Sequence, residues 1–198
     1  MKKTYEILKT ETLLDDFLTI NAYQVRHELF AGGNSPVLRR LRLEKEKAVS
    51  VLLYDPRIQS VVMVEQFRIG AKEEPASWLL ENPAGYVEVN ETAENVAIRE
   101  VREETGCSVE ALIPICEFLV SPGISNERII LFCGKVDATR ADGIHGLEEE
   151  GEDIKVEVLD FEAAANELYS GRINSTSTIM SMQWLLLNKA SVDRQWLK

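Results

Sequence analysis

"GYVEVNETAENVAIREVREETG", Gly85 to Gly106, decides the reading of this chain. It carries six glutamates and two arginines in 22 residues and opens and closes on glycine. At about 100° per residue, Ala93, Ala97 and Val101 fall on one stripe, so the spacing predicts an amphipathic helix over 91–104. Asn90 is the expected N-cap, and Gly106 stands where a helix wants a left-handed terminal residue. Glu100, Glu103 and Glu104 are spaced i, i+3, i+4 and share a neighbouring face. Like charges at that spacing repel, and they sit near the C-terminal end of the helix, where the macrodipole disfavours anions. An acidic, solvated face is one reading of such a run. A hard divalent cation gives a reason for both penalties, because Mg²⁺ takes oxygen ligands and is held by carboxylates together with substrate phosphates.

Working outward, the 198 residues suit one domain, or one domain with a small extension. The composition is 45% hydrophobic and 28% charged, which is ordinary for a globular chain able to bury a core. A formal net charge of −11 argues against bulk nucleic acid, whose binding leans on Lys and Arg neutralising phosphates. It leaves room for a small anion where cations invert the local field. Cys107, Cys116 and Cys133 are widely spaced in apolar settings and read as reduced core thiols of a cytoplasmic protein. The start, MKKTYEILKTET, lacks the apolar stretch of a secretory leader, and no apolar run reaches the roughly 18 residues that span a bilayer.

Strands are expected in "FLTINAYQVRHELF", "VLRRLRLE", "AVSVLLYD", "SVVMVEQFRI", "SWLLENPAGYVEV", "ALIPICEFLVS", "RIILFCGKVDA" and "IKVEVLD". "FEAAANELYSG" and "STSTIMSMQWLLLNKA" read as two further helices. Strands and helices mix without strict alternation, which indicates an α+β fold.

The opening stretch resembles the Nudix box. Gly85, Glu91, Arg99, Glu100, Glu103, Glu104 and Gly106 stand at the family's fixed positions, and only Cys107 replaces an aliphatic residue. The resemblance implies a Nudix fold, with mixed β-sheets sandwiched between helices (α/β/α) and a small N-terminal β extension. It implies a dimer-forming β arm over 1–47 and a hydrolase domain over 48–198. It also implies cleavage of a substituted nucleoside diphosphate with Mg²⁺, or with Mn²⁺ in its place. Glu100 and Glu104 would ligate metal, Glu103 would hold a further ion or bridging water, and the Ala84 carbonyl would complete a site. Arg99 and Glu91 would orient these ligands, and Gly85 would let the backbone approach the ion.

"EQFRIGA", "LLENPAGYVE", "SPGISNER", "GIHGLEEEGEDIKVEVL" and "INSTSTIMSMQWL" resemble the ADP-ribose pyrophosphatase branch. That branch implies Glu150 as general base, Glu152 as a metal ligand, and Arg40 and Arg68 as substrate contacts. Glu127 would meet the terminal ribose or order a water, and Phe17 would stack on adenine across a homodimer interface. "LEEEGED" places five acids in seven residues, so which acid of 148–153 is the base stays open. A solvated acidic turn and a lid that delivers a carboxylate fit the same composition. Arg40 and Arg42 share a face if their segment is a strand. Trp78 and Trp184 are expected in the core, and His27 and His145 are expected to be structural. The reading is hydrolysis of ADP-ribose to AMP and ribose 5-phosphate, with no nucleic-acid or membrane partner. A GDP-mannose or other sugar-nucleotide pyrophosphatase is the alternative within the class. A non-hydrolytic ADP-ribose sensor is the alternative outside it.

Overall fold

A computed structural model describes residues 2–72 and 77–198, with the side chain of Glu150 outside the described set. The backbone contacts define two compact units, Met1–Lys47 with Leu119–Arg128, and Ala48–Phe118 with Ile129–Lys198.

In the first unit, β1 (Tyr5–Asp15), β2 (Thr19–His27) and β3 (Leu38–Glu44) form an antiparallel sheet in that order. β2 pairs Tyr23 with Arg40 and Asn21 with Arg42, so the two arginines lie on one face, as the period-2 reading requires. The segment 119–128 is tied to β3 by Leu43 N–H donating to the Ile124 carbonyl (2.8 Å) and Lys45 N–H donating to Asn126 Oδ1 (2.8 Å). β1 is exposed along its whole length.

The second unit holds β4 (Lys47–Asp55), β5 (Ser60–Phe67), β6 (Trp78–Glu81), β7 (Ala84–Tyr86), β8 (Ala111–Leu119), β9 (Arg128–Lys135), β10 (Ile144–His145) and β11 (Ile154–Asp160). The sheet runs β10-β11-β5-β4-β9-β8, with β6 added to β5 and β7 added to β4. Its helices are α1 (Ala93–Thr105), α2 (Phe161–Ser170) and α3 (Thr176–Trp196). Parity decides which side of the sheet each helix covers. Val49, Val51, Leu53, Val62 and Val156 point to one face and pack on Val96, Ala97 and Val101 of α1. Leu52, Tyr54, Val61 and Met63 point to the other, against Ala164 of α2 and Met182, Leu185 and Trp196 of α3. Each large apolar side chain buried this way contributes about 1.5–3 kcal/mol relative to exposure. The result is the expected α+β sandwich, one helix on one face and two on the other.

Four local expectations change. "SWLLENPAGYVEV" is two strands, because Asn82 and Pro83 leave the ladder. Pro83 has no N–H to donate. Asn82 turns instead to α3, its N–H donating to Thr178 Oγ1 (3.1 Å) and its side-chain amide to Ser181 Oγ (3.0 Å) and Ser50 Oγ (3.1 Å). The first helix starts two residues later than expected. Asn90 is in the left-handed region (φ 75°), and Thr92 is the cap, its hydroxyl accepting from Asn95 N–H (3.2 Å). Cys116 is exposed rather than in the core, because strand alternation puts it on the open face of β8. Trp78 is 55% exposed and stacks edge-on against Phe67, its cross-strand partner (5.4 Å between ring centres). Gly106 does close α1 in the left-handed conformation (φ 67°). Among the described residues, no helix is long and apolar enough to cross a membrane.

Candidate active site

The site is built where β7 faces α1. β7 pairs with β4 so that Gly85 stands opposite Val49, a residue of the α1-facing core. Gly85 therefore points at the helix. A Cβ on Gly85 would fall on the carboxyl group of Glu100. The adjacent Ala84 N–H donates to Glu104 Oε2 (3.3 Å). One strand thus touches two glutamates one helical turn apart, as the i, i+4 spacing allows.

Arg99 gathers Glu91, Glu100 and Glu103. Its Nη1 lies 2.8 Å from Glu100 Oε1 and 3.1 Å from Glu103 Oε2, and its Nη2 lies 3.4 Å from Glu91 Oε2. Glu91 also accepts from Glu88 N–H (3.4 Å), which anchors the loop before the helix. One planar cation with a fixed fork of donors suits this crowded arrangement better than an ammonium would.

Glu104 is the buried acid of the group, 3% exposed. Burial, then the charges of Glu100 and Glu152, push its carboxyl up to about 9, and the Ala84 N–H and the charge of Arg68 offset only part of this. Burial also raises Glu100, with Glu103 and Glu152 adding to the effect and Arg99 opposing it. Glu152 is thus within electrostatic reach of both helix acids although it is about fifty residues away in sequence. Its own carboxylate accepts from Leu147 N–H (3.0 Å), across the base of the acidic loop. Beside that loop, His145 packs on Gly106 and its Nε2–H donates to the Asp142 carbonyl (2.7 Å), a structural placement. Glu150, the expected base, has its side chain outside the described residues.

The donor set fits a hard cation. The charges of Glu100 and Glu152 raise the proton affinity of Glu104, that of Glu152 also raises Glu100, and the side-chain room at Gly85 is taken by Glu100 itself. The oxygens are not drawn together in advance: among the described residues no three His, Cys, Asp or Glu side chains stand in a ready metal geometry. Arg99 and the Leu147 N–H hold Glu100 and Glu152 instead.

The other expected contacts divide between the units. Arg68 belongs to the second unit and donates through Nε to Glu81 Oε2 (2.8 Å). Phe17, Arg40 and Glu127 belong to the first. Phe17 is 90% exposed, with the Lys45 ammonium 5.5 Å from its ring centre. Arg40 lines a cleft of about 430 Å³ with Tyr5, Ile7, Tyr23, Arg42 and Ile124. Arg42 is held by Glu44 (2.7 Å) and Tyr23 Oη (3.0 Å), whereas Arg40 donates to the Arg39 carbonyl (3.0 Å). Glu127 N–H donates to Ser125 Oγ (3.0 Å) at the end of the Ser121–Gly123 turn. Sequence reading did not single out Glu81 or Asn82. Both lie inside "LLENPAGYVE", but the signal that one faces Arg68 and the other faces α3 is strand parity, which needs the register.

The sequence from 44 to 178 matches the NUDIX domain, and the chain belongs to that family. An ADP-ribose pyrophosphatase of Haemophilus influenzae is 46% identical over 195 residues, covering 96% of this chain and 90% of that protein. An ADP-ribose pyrophosphatase of Escherichia coli strain K12 is 40% identical over 196 residues, covering 98% and 94%. A GDP-mannose pyrophosphatase of Enterobacter sp. is 30% identical over 188 residues, covering 91% and 97%. Among solved structures, one described as an ADP compounds hydrolase superposes with a TM-score of 0.71 at 17% identity, covering 91% and 94%, a likeness of fold.

Proposed function

We propose that this protein hydrolyses the diphosphate bond of ADP-ribose to AMP and ribose 5-phosphate, using Mg²⁺, with Mn²⁺ able to replace it. The observation that carries the reading is the placement of Glu100 and Glu104 against Gly85 and Ala84, with the charge of Glu152 felt at both, a repulsion that calls for a cation. The substrate is supported by relatives at 46% and 40% identity that are named ADP-ribose pyrophosphatase.

Glu100, Glu104, Glu152 and the Ala84 carbonyl would hold the ion, and Glu103 would hold a second ion or a bridging water. A divalent cation there supplies charge neutralisation on the phosphates and lowers the pKa of water. Arg99 keeps Glu100 and Glu103 aimed, with Glu91 bracing its other edge. Arg68 would pair with the diphosphate, and its positive charge offsets the repulsion that a protein of net charge −11 exerts on an anion. Glu150 would take the proton of the attacking water. Its place on a loop next to Gly151 suits a group that reaches the phosphorus only with substrate present. Phe17 would stack on adenine, Arg40 would bind the nucleotide and Glu127 the terminal ribose. The arm over 1–47 would join two copies as a homodimer, and the protein would act in the cytoplasm.

GDP-mannose is the competing substrate, because relatives near 30% identity carry that name. Product chromatography after incubation with ADP-ribose, GDP-mannose and NADH, with Mg²⁺ and then with EDTA, separates the readings. The expected result is the highest kcat/KM for ADP-ribose, with AMP and ribose 5-phosphate as products and no turnover in EDTA. A preference for GDP-mannose would overturn the substrate. Binding of ADP-ribose without any cleavage would indicate a sensor.

A further inference from the structure

Arg68 and Glu81 come together through the register of β5 and β6. Val62 packs in the α1-facing core, so Val64 and Gln66 point to the same side. β6 places Glu81 opposite Val64 and Leu79 opposite Gln66. The strand geometry continues one step past β5. Arg68 is extended (φ −128°, ψ 113°), and its N–H donates to the Ser77 carbonyl (2.9 Å). Arg68 therefore shares a face with Gln66 and Glu81, and that face is the one carrying the acids of α1.

The two side chains are unequal. Glu81 is largely buried (13% exposed), whereas Arg68 is 44% exposed, and the contact is Nε to Oε2 at 2.8 Å. A guanidinium has five N–H donors in a rigid fork. Glu81 takes one of them, and among the described residues no other side chain accepts from Arg68. The outer edge is left for a ligand. The positive charge of Arg68 is felt at Glu104, so that edge lies within reach of the acid cluster. A long, flexible cation beside Glu100, Glu104 and Glu152 would otherwise be drawn onto them. A buried carboxylate placed behind it holds it off and fixes its plane before the substrate arrives, which lowers the ordering cost of binding. Adding a further acid to an anion-binding site is unfavourable unless it serves a cation in this way.

We propose that Glu81 is the positioning residue for Arg68: it grips Nε so that the remaining N–H groups of the guanidinium meet the substrate diphosphate. This rests on the reading of Arg68 as a diphosphate contact. The test is a double-mutant cycle of Glu81→Ala and Arg68→Ala. It measures kcat and KM for ADP-ribose at saturating Mg²⁺, together with calorimetric Kd for ADP-ribose in EDTA. Each single variant is expected to raise KM and Kd by on the order of tenfold while kcat changes less. The double variant should match Arg68→Ala alone, since a group that acts only through Arg68 has nothing left to aim. Glu81→Gln, which keeps an oxygen for Nε, should recover part of the loss. It carries the same comparison if Glu81→Ala does not fold. If Arg68→Ala raises KM and Glu81→Ala and Glu81→Gln do not, the positioning role is wrong and the clamp stands. If the two losses multiply in the double variant, Glu81 acts by another route. If Arg68→Ala itself leaves KM and Kd unchanged, the clamp falls and the positioning role with it.

Discussion

Gly85 and Glu100 compete for one volume: a methyl group on the glycine would lie where the glutamate carboxyl already is. The first glycine of the box is therefore a steric requirement of Glu100, which stands on the next element along the chain. Gly85→Ala is expected to push the carboxyl away and to lower kcat by about 100-fold, since displacements near 1 Å at a reacting centre cost that much. Steady-state kinetics and a melting curve check it, and wild-type turnover would show that Glu100 need not stay where it is.

Glu104→Gln removes a buried acid whose charge is penalised by burial and by Glu100 and Glu152. The melting temperature should hold or rise, while kcat drops by orders of magnitude. The pair of measurements matters here. Lost stability together with lost activity would point to a packing role, and near-normal turnover would refute ion binding at this carboxylate.

Arg99→Ala leaves Glu91, Glu100 and Glu103 without their shared cation. Removing a group that orients metal ligands costs 10–100-fold in metal affinity or activity. The Mg²⁺ concentration giving half-maximal rate should rise by about that factor. Arg99→Lys should recover little, because an ammonium cannot bond on two edges at once.

Acid stability should track Asp55, far from the box. Burial alone would raise this carboxyl, but the Arg57 side chain and N–H and the Ala138 N–H outweigh it and hold it below the usual range. A depressed folded-state pKa stabilises the protein above the unfolded pKa of about 3.9, and the gain is lost as pH falls through the folded value. Asp55→Asn should therefore cost about 2 kcal/mol at pH 7, with the gap to the wild type closing toward pH 2. Urea unfolding at both pH values measures it. A gap that does not change with pH would mean that shape, rather than charge, is what Asp55 supplies.

The acids of α1 were legible because a helix converts spacing along the chain into position on one face, with no long-range information needed. The left-handed Gly106 and the apolar stripe through Ala97 and Val101 follow from the same local rule. Strand existence was legible for a related reason, alternation. The break at Asn82 was not, because it depends on hydroxyls of α3 almost a hundred residues later. Cys116 and Trp78 were misplaced for the same cause, since composition gives a strand without saying which of its faces is covered.

From its sequence alone this chain specified an acidic, amphipathic helix and the residue types around it, since those constraints act over a few residues. The tertiary structure decided the rest. It set which strand presses on Glu100, which distant acid shares the field of Glu104, and which carboxylate stands behind Arg68. A one-residue change in register would turn Glu81 and Gly85 to the opposite side of the sheet, away from Arg68 and Glu100, and register is set only when the core on both faces packs at once.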